Sequence, residues 1–158
     1  GSDSPSRTIG KVNLALYRRG IESRFVTLMY GSLQSNGQLL YCNAGHNPPI
    51  VVSAAGVRPL MGSGMPVGLF SGATYSDEHT RLDPGDVLVV YSDGVTEAQN
   101  VAGDDFGEER MAKVIEQYHK EPATVVLAKL IEAVSEFARG AEQYDDVTAL
   151  VIRYIGPS

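Results

Sequence analysis

The chain has 158 residues, 43% of them apolar, and its 13 basic and 19 acidic side chains leave a formal net charge of −6. That is the size of one ordinary domain, and because no basic run is longer than Arg18-Arg19, the footprint of a nucleic-acid partner is missing. Cys42 is the only cysteine, which excludes an intrachain disulfide and fits a reducing cytoplasm, and no apolar run approaches the roughly 20 residues that cross a bilayer, so no membrane contact is expected from this segment.

Ser4-Pro5 pairs an N-cap with a proline at the first helical position, and Ile9, Val12 and Leu16 recur at helical spacing up to Arg18-Arg19-Gly20. A helix over 5–19 is predicted. From Arg24 the period changes: RFVTLMYGSL is apolar on both faces, as in a strand covered on both sides, over 24–33. The turn Ser35-Asn36-Gly37 joins it to a second strand, 38–44, in a hairpin. After Pro48-Pro49 the segments PIVVS and VRPL flank Ala54-Ala55-Gly56 as another hairpin. Residues 61–74 hold five glycines or prolines and read as a mobile flap or connection, without the spacing of a nucleotide cradle.

Residues 75–82 alternate weakly, Asp83-Pro84-Gly85-Asp86 is a tight turn by composition, and VLVVYS, from Val87, is the most hydrophobic strand and should be central. Beyond an irregular acidic segment, Met111, Val114, Ile115 and Tyr118 fall on one face of a helix. Pro122 opens another, with Val126, Leu130, Val134 and Phe137 in register until Arg139-Gly140 ends it. Asp145-Asp146 leads into VTALVIRY, a last strand apolar on both faces. One helix, about six antiparallel strands, two helices and a strand make an α+β fold, and two sheets with helices outside would cover strands of this kind.

The two strands hydrophobic enough to be central each carry acid at one end: Asp93 and Gly94 follow the first, and Asp145-Asp146 precede the second. If the strands are antiparallel neighbours, those acids meet. Carboxylates brought together repel unless cations neutralise them, and an all-oxygen set favours Mg²⁺ or Mn²⁺ over zinc. Gly94 would let the backbone approach closely and suits a sharp turn out of the strand. Each element alone is ordinary, since Asp-Gly after a strand is usually a turn. Cys42, inside a strand, reads as core packing rather than a nucleophile. His46 reads as a loop histidine fixing a turn, with acid catalysis the alternative; His79 and His119 read as exposed, and Glu97 as either a support to the acids or a solvated charge.

The stretches FVTLMYGSL, YCNAGHNPP, MPVGL, LDPGDVLVVYSDGVTEAQN, FGEER and YDDVTALVIR, in this order, cover nearly all of residues 5–154. Together they resemble the bacterial metal-dependent Ser/Thr phosphatases of the PP2C superfamily, in the SpoIIE-like branch. The resemblance implies an αββα sandwich of two antiparallel sheets flanked by helices. It also implies that Asp93 and Asp145 are catalytic metal ligands, with Asp146 an additional candidate and Gly94 beside them. Two Mn²⁺ or Mg²⁺ ions roughly 4 Å apart would activate a water for in-line attack on phosphorus. The implied partner is a phosphorylated anti-anti-sigma-like (STAS-like) regulator.

A Gly-Asp motif, whose aspartate bridges both metals in that family, and the following Asp-x-Ser-Gly-Lys-Gly-like motif have no counterpart here. The expectation is that residues 3–156 form the C-terminal part of one such domain, after a cloning remnant at Gly1-Ser2, and that this chain alone is inactive. Missing strands would leave an exposed sheet edge that invites a homodimer. The alternative is a non-catalytic regulatory or scaffolding domain that keeps the fold without the chemistry.

Overall fold

The computed structural model describes residues 4–19, 25–62, 64–143 and 145–157. The expected cloning remnant at residues 1–2 and the expected strand start at Arg24 lie outside the described residues. In chain order the elements are α1 (Pro5–Arg18), β1 (Leu28–Leu33), β2 (Gln38–Ala44), β3 (Ile50–Ser53), β4 (Gly56–Pro59), β5 (Glu78–Arg81), β6 (Val87–Tyr91), α2 (Asp93–Thr96), α3 (Gly107–Tyr118), α4 (Ala123–Phe137) and β7 (Ala149–Arg153). They group into two compact units, one from Gly1–Pro48, Met61–Leu82 and Gly156–Ser158, the other from Pro49–Leu60 and Asp83–Ile155.

The first unit is an antiparallel sheet, β1-β2-β5, with α1 against it. Ser4 caps α1 in an extended conformation, and its hydroxyl accepts from the Arg7 N–H, while Pro5 occupies the first turn where a missing N–H costs nothing. Ile9 is fully buried with Cys42, Ala44 and Val67, and Val12, Leu16 and Leu28 pack around them. Burial, with Asp77 and Glu78 adding to it, pushes the Cys42 thiol up to about 11. The core reading of Cys42 therefore holds. The strand expected to be covered on both sides is instead an edge strand, with Phe25, Val26 and Tyr30 exposed. Its apolar run reports β-propensity, and an edge position supplies only one neighbour to cover it.

The described residues of 61–74 form a connection fastened by hydrogen bonds. Val26 and Val67 exchange main-chain hydrogen bonds of 3.0 and 2.9 Å, and the Gly64 N–H donates to the Asn43 carbonyl at 3.1 Å. Asn13, buried on the apolar side of α1, accepts from the Gly68 N–H and donates to the Phe70 carbonyl, both at 2.8 Å. Nothing in the helical periodicity marks this asparagine, because its partners lie more than fifty residues away.

The second unit is the sheet β4-β3-β6-β7, antiparallel throughout, with β6 inside as its composition requires. Val87, Val89 and Tyr91 of β6 pack with Ile50 and Val52 of β3 against Met111 and Ile115 of α3 and Val126, Leu130 and Val134 of α4. Both helices thus bury the faces their 3.6-residue period predicts. Phe106 meets Phe137 edge-on at 5.5 Å, and the Arg110 guanidinium lies 4.7 Å above the Phe137 ring, tying the start of α3 to the end of α4. The last strand pairs with β6 as expected, but at the edge of the sheet, so Leu150 is 56% exposed. The acidic segment before α3 is ordered: the Asn100 side-chain carbonyl accepts from the Ala102 and Asp104 N–H groups, and residues 99 and 105 pair across it.

Two outcomes follow for the first unit. Cys42 should resist an aromatic disulfide reagent at pH 8 in the native state and react stoichiometrically once the chain is unfolded. Asn13→Ala should lower stability by about 1–3 kcal/mol, since it strands a buried donor and acceptor, with limited proteolysis moving into residues 61–74; urea unfolding and mass mapping of the cuts check both.

Candidate functional site

The buried run of β6 delivers its last residue, Tyr91, into the core, where its hydroxyl donates to Glu108 Oε1 at 3.3 Å. Burial, reinforced by that carboxylate, pushes the phenol up to about 12, so it stays protonated and holds the strand end in place. The chain then leaves the sheet. Instead of a simple turn it makes one helical turn: the Val95 N–H donates to the Ser92 carbonyl at 3.0 Å, and the Glu97 N–H to the Asp93 carbonyl at 2.7 Å. Asp93 is the first residue of α2 and is exposed, and its Oδ1 accepts from the Gly94 N–H at 3.0 Å.

Asp145 and Asp146 lie on the approach to β7, both exposed. Asp145 Oδ1 accepts from the Asp146 N–H at 2.7 Å, and the Gln143 amide donates to the Asp145 carbonyl at 2.9 Å. Because β6 and β7 are antiparallel with Tyr91 opposite Ala149, the end of one strand meets the start of the other. Beyond the last ladder pair, the Ser92 N–H donates to the Thr148 carbonyl at 2.9 Å. The Ser92 hydroxyl donates to the Asp146 carbonyl at 2.9 Å and accepts from the Thr148 N–H at 3.0 Å.

Gly94 is buried in this seam, and its role is steric. A Cβ there would collide with the Asp146 carbonyl oxygen and sit 2.8 Å from the carbonyl carbon. The close approach anticipated for this glycine is therefore present. Its conformation is helical, so crowding alone requires the missing side chain.

Asp93, Asp145 and Asp146 thus share one end of the β6–β7 pair, as the sequence pattern required. Their oxygen donors suit a hard divalent cation in kind. They do not form a closed site: among the described residues no group of three or more His, Cys, Asp or Glu side chains converges to hold a metal ion. Glu97 ends α2 and, with Gly94 and Asp145, lines a cleft of about 670 Å³ that also receives Asp105 and Glu142.

The turn at His46 is fixed by its main chain: the His46 N–H donates to Asn43 Oδ1 at 2.8 Å and its carbonyl accepts from the Asn43 amide at 2.9 Å, while the ring Nδ1 lies 3.4 Å from the Thr27 hydroxyl. His79 is exposed on β5, as expected. His119, expected to be exposed, is half-buried at the end of α3, with Nδ1 2.6 Å from the Glu116 carbonyl. Sequence reasoning assigned no role to Ser92 or Asn43. The available signals were a hydroxyl residue directly before a strand-ending acid, and an asparagine two residues before a glycine turn.

A model of the family described as stage II sporulation protein E (SpoIIE) matches residues 1–155. Protein IcfG of Synechocystis sp. (strain PCC 6803) is 30% identical over 84% of this chain and 21% of its own length. Phosphoserine phosphatase RsbU of Bacillus subtilis (strain 168) is 26% identical over 94% of this chain and 45% of its own. The chain therefore spans less than half the length of these curated relatives. Among solved structures, the SiaA-PP2C domain of Pseudomonas aeruginosa superposes with a TM-score of 0.79 at 22% identity, over 98% of this chain and 61% of that one. The fold is PP2C-like, with two antiparallel sheets and helices, and the chain belongs to the SpoIIE family.

Proposed function

We propose that this chain is the C-terminal part of the domain of a metal-dependent protein serine/threonine phosphatase and carries part of its active site. The observation that carries the reading is the seam at which Asp93 and the Asp145-Asp146 pair meet at the end of β6 and β7, in a member of the SpoIIE family. Asp93 and Asp145 would hold Mn²⁺ or Mg²⁺, and Asp146 would contribute to or support them. A divalent cation held there neutralises charge on the phosphoryl oxygens and makes water a stronger nucleophile at neutral pH.

The chain's own part in the reaction is positioning. The first turn of α2 presents the Asp93 carboxylate at the strand end, and the hydrogen bond from the Asp146 N–H orients Asp145. Gly94 keeps the two segments within van der Waals reach. The substrate would be a phosphorylated protein, by analogy with a relative named a phosphoserine phosphatase, and we take an anti-anti-sigma-like (STAS-like) regulator as the specific partner. Two ions are expected in a complete site. With only the carboxylates of this seam, the chain alone should bind one ion weakly and turn over little substrate. The exposed apolar side chains on the edge strands, Tyr30 on β1 and Leu150 on β7, support pairing between copies.

Calorimetric titration with Mn²⁺ should show weak binding that Asp93→Asn abolishes, with aryl phosphate hydrolysis at the buffer rate. Binding that survives the substitution unchanged would overturn the assignment. No binding at all would favour a non-catalytic domain of this fold. Gly94→Ala should cost about 1–3 kcal/mol through overpacking against Asp146, seen as a fall of several degrees in melting temperature, and should weaken Mn²⁺ binding in parallel.

A further inference from the structure

Ser92 occupies the position at which β6 stops being a strand, and its hydrogen bonds show an exchange of partners. In a continuing antiparallel ladder, the Thr148 N–H would donate to the Ser92 carbonyl. That carbonyl already accepts from the Val95 N–H in the first turn of α2. The Thr148 N–H donates instead to the Ser92 hydroxyl, at 3.0 Å. In the same continued ladder, the next inward-facing donor for the Asp146 carbonyl would be the N–H of residue 94. The Gly94 N–H is turned to Asp93 Oδ1, and the Ser92 hydroxyl again supplies the missing partner, donating to the Asp146 carbonyl at 2.9 Å.

A hydroxyl carries one donor and two acceptor sites, so one side chain can satisfy both orphaned groups at once. Alanine supplies neither and threonine supplies both. The two groups it holds belong to Asp146 and Thr148, flanking the approach to β7, while its own residue is bonded directly to Asp93. The hydroxyl is therefore a side-chain link, beside the Ser92 N–H bond to the Thr148 carbonyl, that fixes one acidic arm relative to the other.

We propose that Ser92 is a positioning residue for the metal site, setting the distance between Asp93 and the Asp145-Asp146 pair without touching the ion. This rests on the reading given under Proposed function. Residues that orient metal ligands without contacting the metal typically change its affinity by about 10- to 100-fold when lost.

The test is a Mn²⁺ titration followed by paramagnetic broadening of backbone amide resonances, which reports weak binding residue by residue, together with amide hydrogen exchange at Thr148. In the unsubstituted chain, broadening should centre on residues 93–94 and 145–146. Ser92→Ala should raise the midpoint about 10- to 100-fold and speed Thr148 exchange, and Ser92→Thr should restore both. If Ser92→Ala does not fold, Ser92→Cys, a weak donor and acceptor of similar size, takes its place with the same expected direction. Site-centred broadening that is unchanged in Ser92→Ala would overturn the inference while leaving the metal reading intact. Absence of site-centred broadening in the unsubstituted chain would overturn the metal reading, and the positioning role with it. Faster Thr148 exchange with an unmoved Mn²⁺ midpoint would make Ser92 a purely structural bond and overturn the proposal.

Discussion

A strand that turns into a helix must reassign the carbonyls and N–H groups that its neighbour was using, and everything at this site depends on how β6 does so. At Ser92 the carbonyl passes to α2, and the hydroxyl takes its place in the bond to β7. The helix can then begin immediately, with Asp93 as its first residue, instead of after a loop that would carry the carboxylate away from the sheet. Gly94 is the steric counterpart of the same constraint: the segment before β7 stays close only because nothing projects from α2 at that point. Polar satisfaction and crowding act here on adjacent residues and toward one geometry.

Behind the seam, the packing of the second unit fixes the direction in which β6 arrives. Val87, Val89 and Tyr91 are held between β3 and the buried faces of α3 and α4, and Tyr91 is further pinned by Glu108 from α3. The helices in turn are tied at their ends by the Phe106–Phe137 contact and the stacked Arg110. An exposed carboxylate is thus mounted on one of the most deeply buried strands of the chain. Rigid support beneath a solvent-facing carboxylate holds it in place without burying its charge.

Much of this was legible in the residues. The hairpins, the three longer helices, the central place of VLVVY and the meeting of the segments that carry Asp93 and Asp145-Asp146 follow from period, turn chemistry and strand order. What escaped has a common physical cause. Asn13, Asn43 and Ser92 each act through one side chain's pair of hydrogen bonds, and isolated polar contacts leave no periodic trace. The outer strands were misjudged for a different reason: RFVTLMY and VTALVIRY are rich in β-branched and aromatic residues, which favour extended backbone wherever the strand lies. Leu150 and Tyr30 show that the same composition serves at an edge. The glycines of the connection 61–74 break regular structure, yet Gly64 and Gly68 bring main-chain donors onto Asn43 and Asn13.

The register of β6 against β7 also bears on the order in which the molecule is assembled. The two acidic arms stand at sequence positions 93 and 145, and α3 and α4 lie between them. Closing so long a loop is entropically costly and is rewarded only when the final strand docks. No partly folded form lacking β7 can contain the seam, however complete its helices. The two acidic segments are therefore neighbours only in the finished sheet, so that a growing chain never displays them together before the fold is complete.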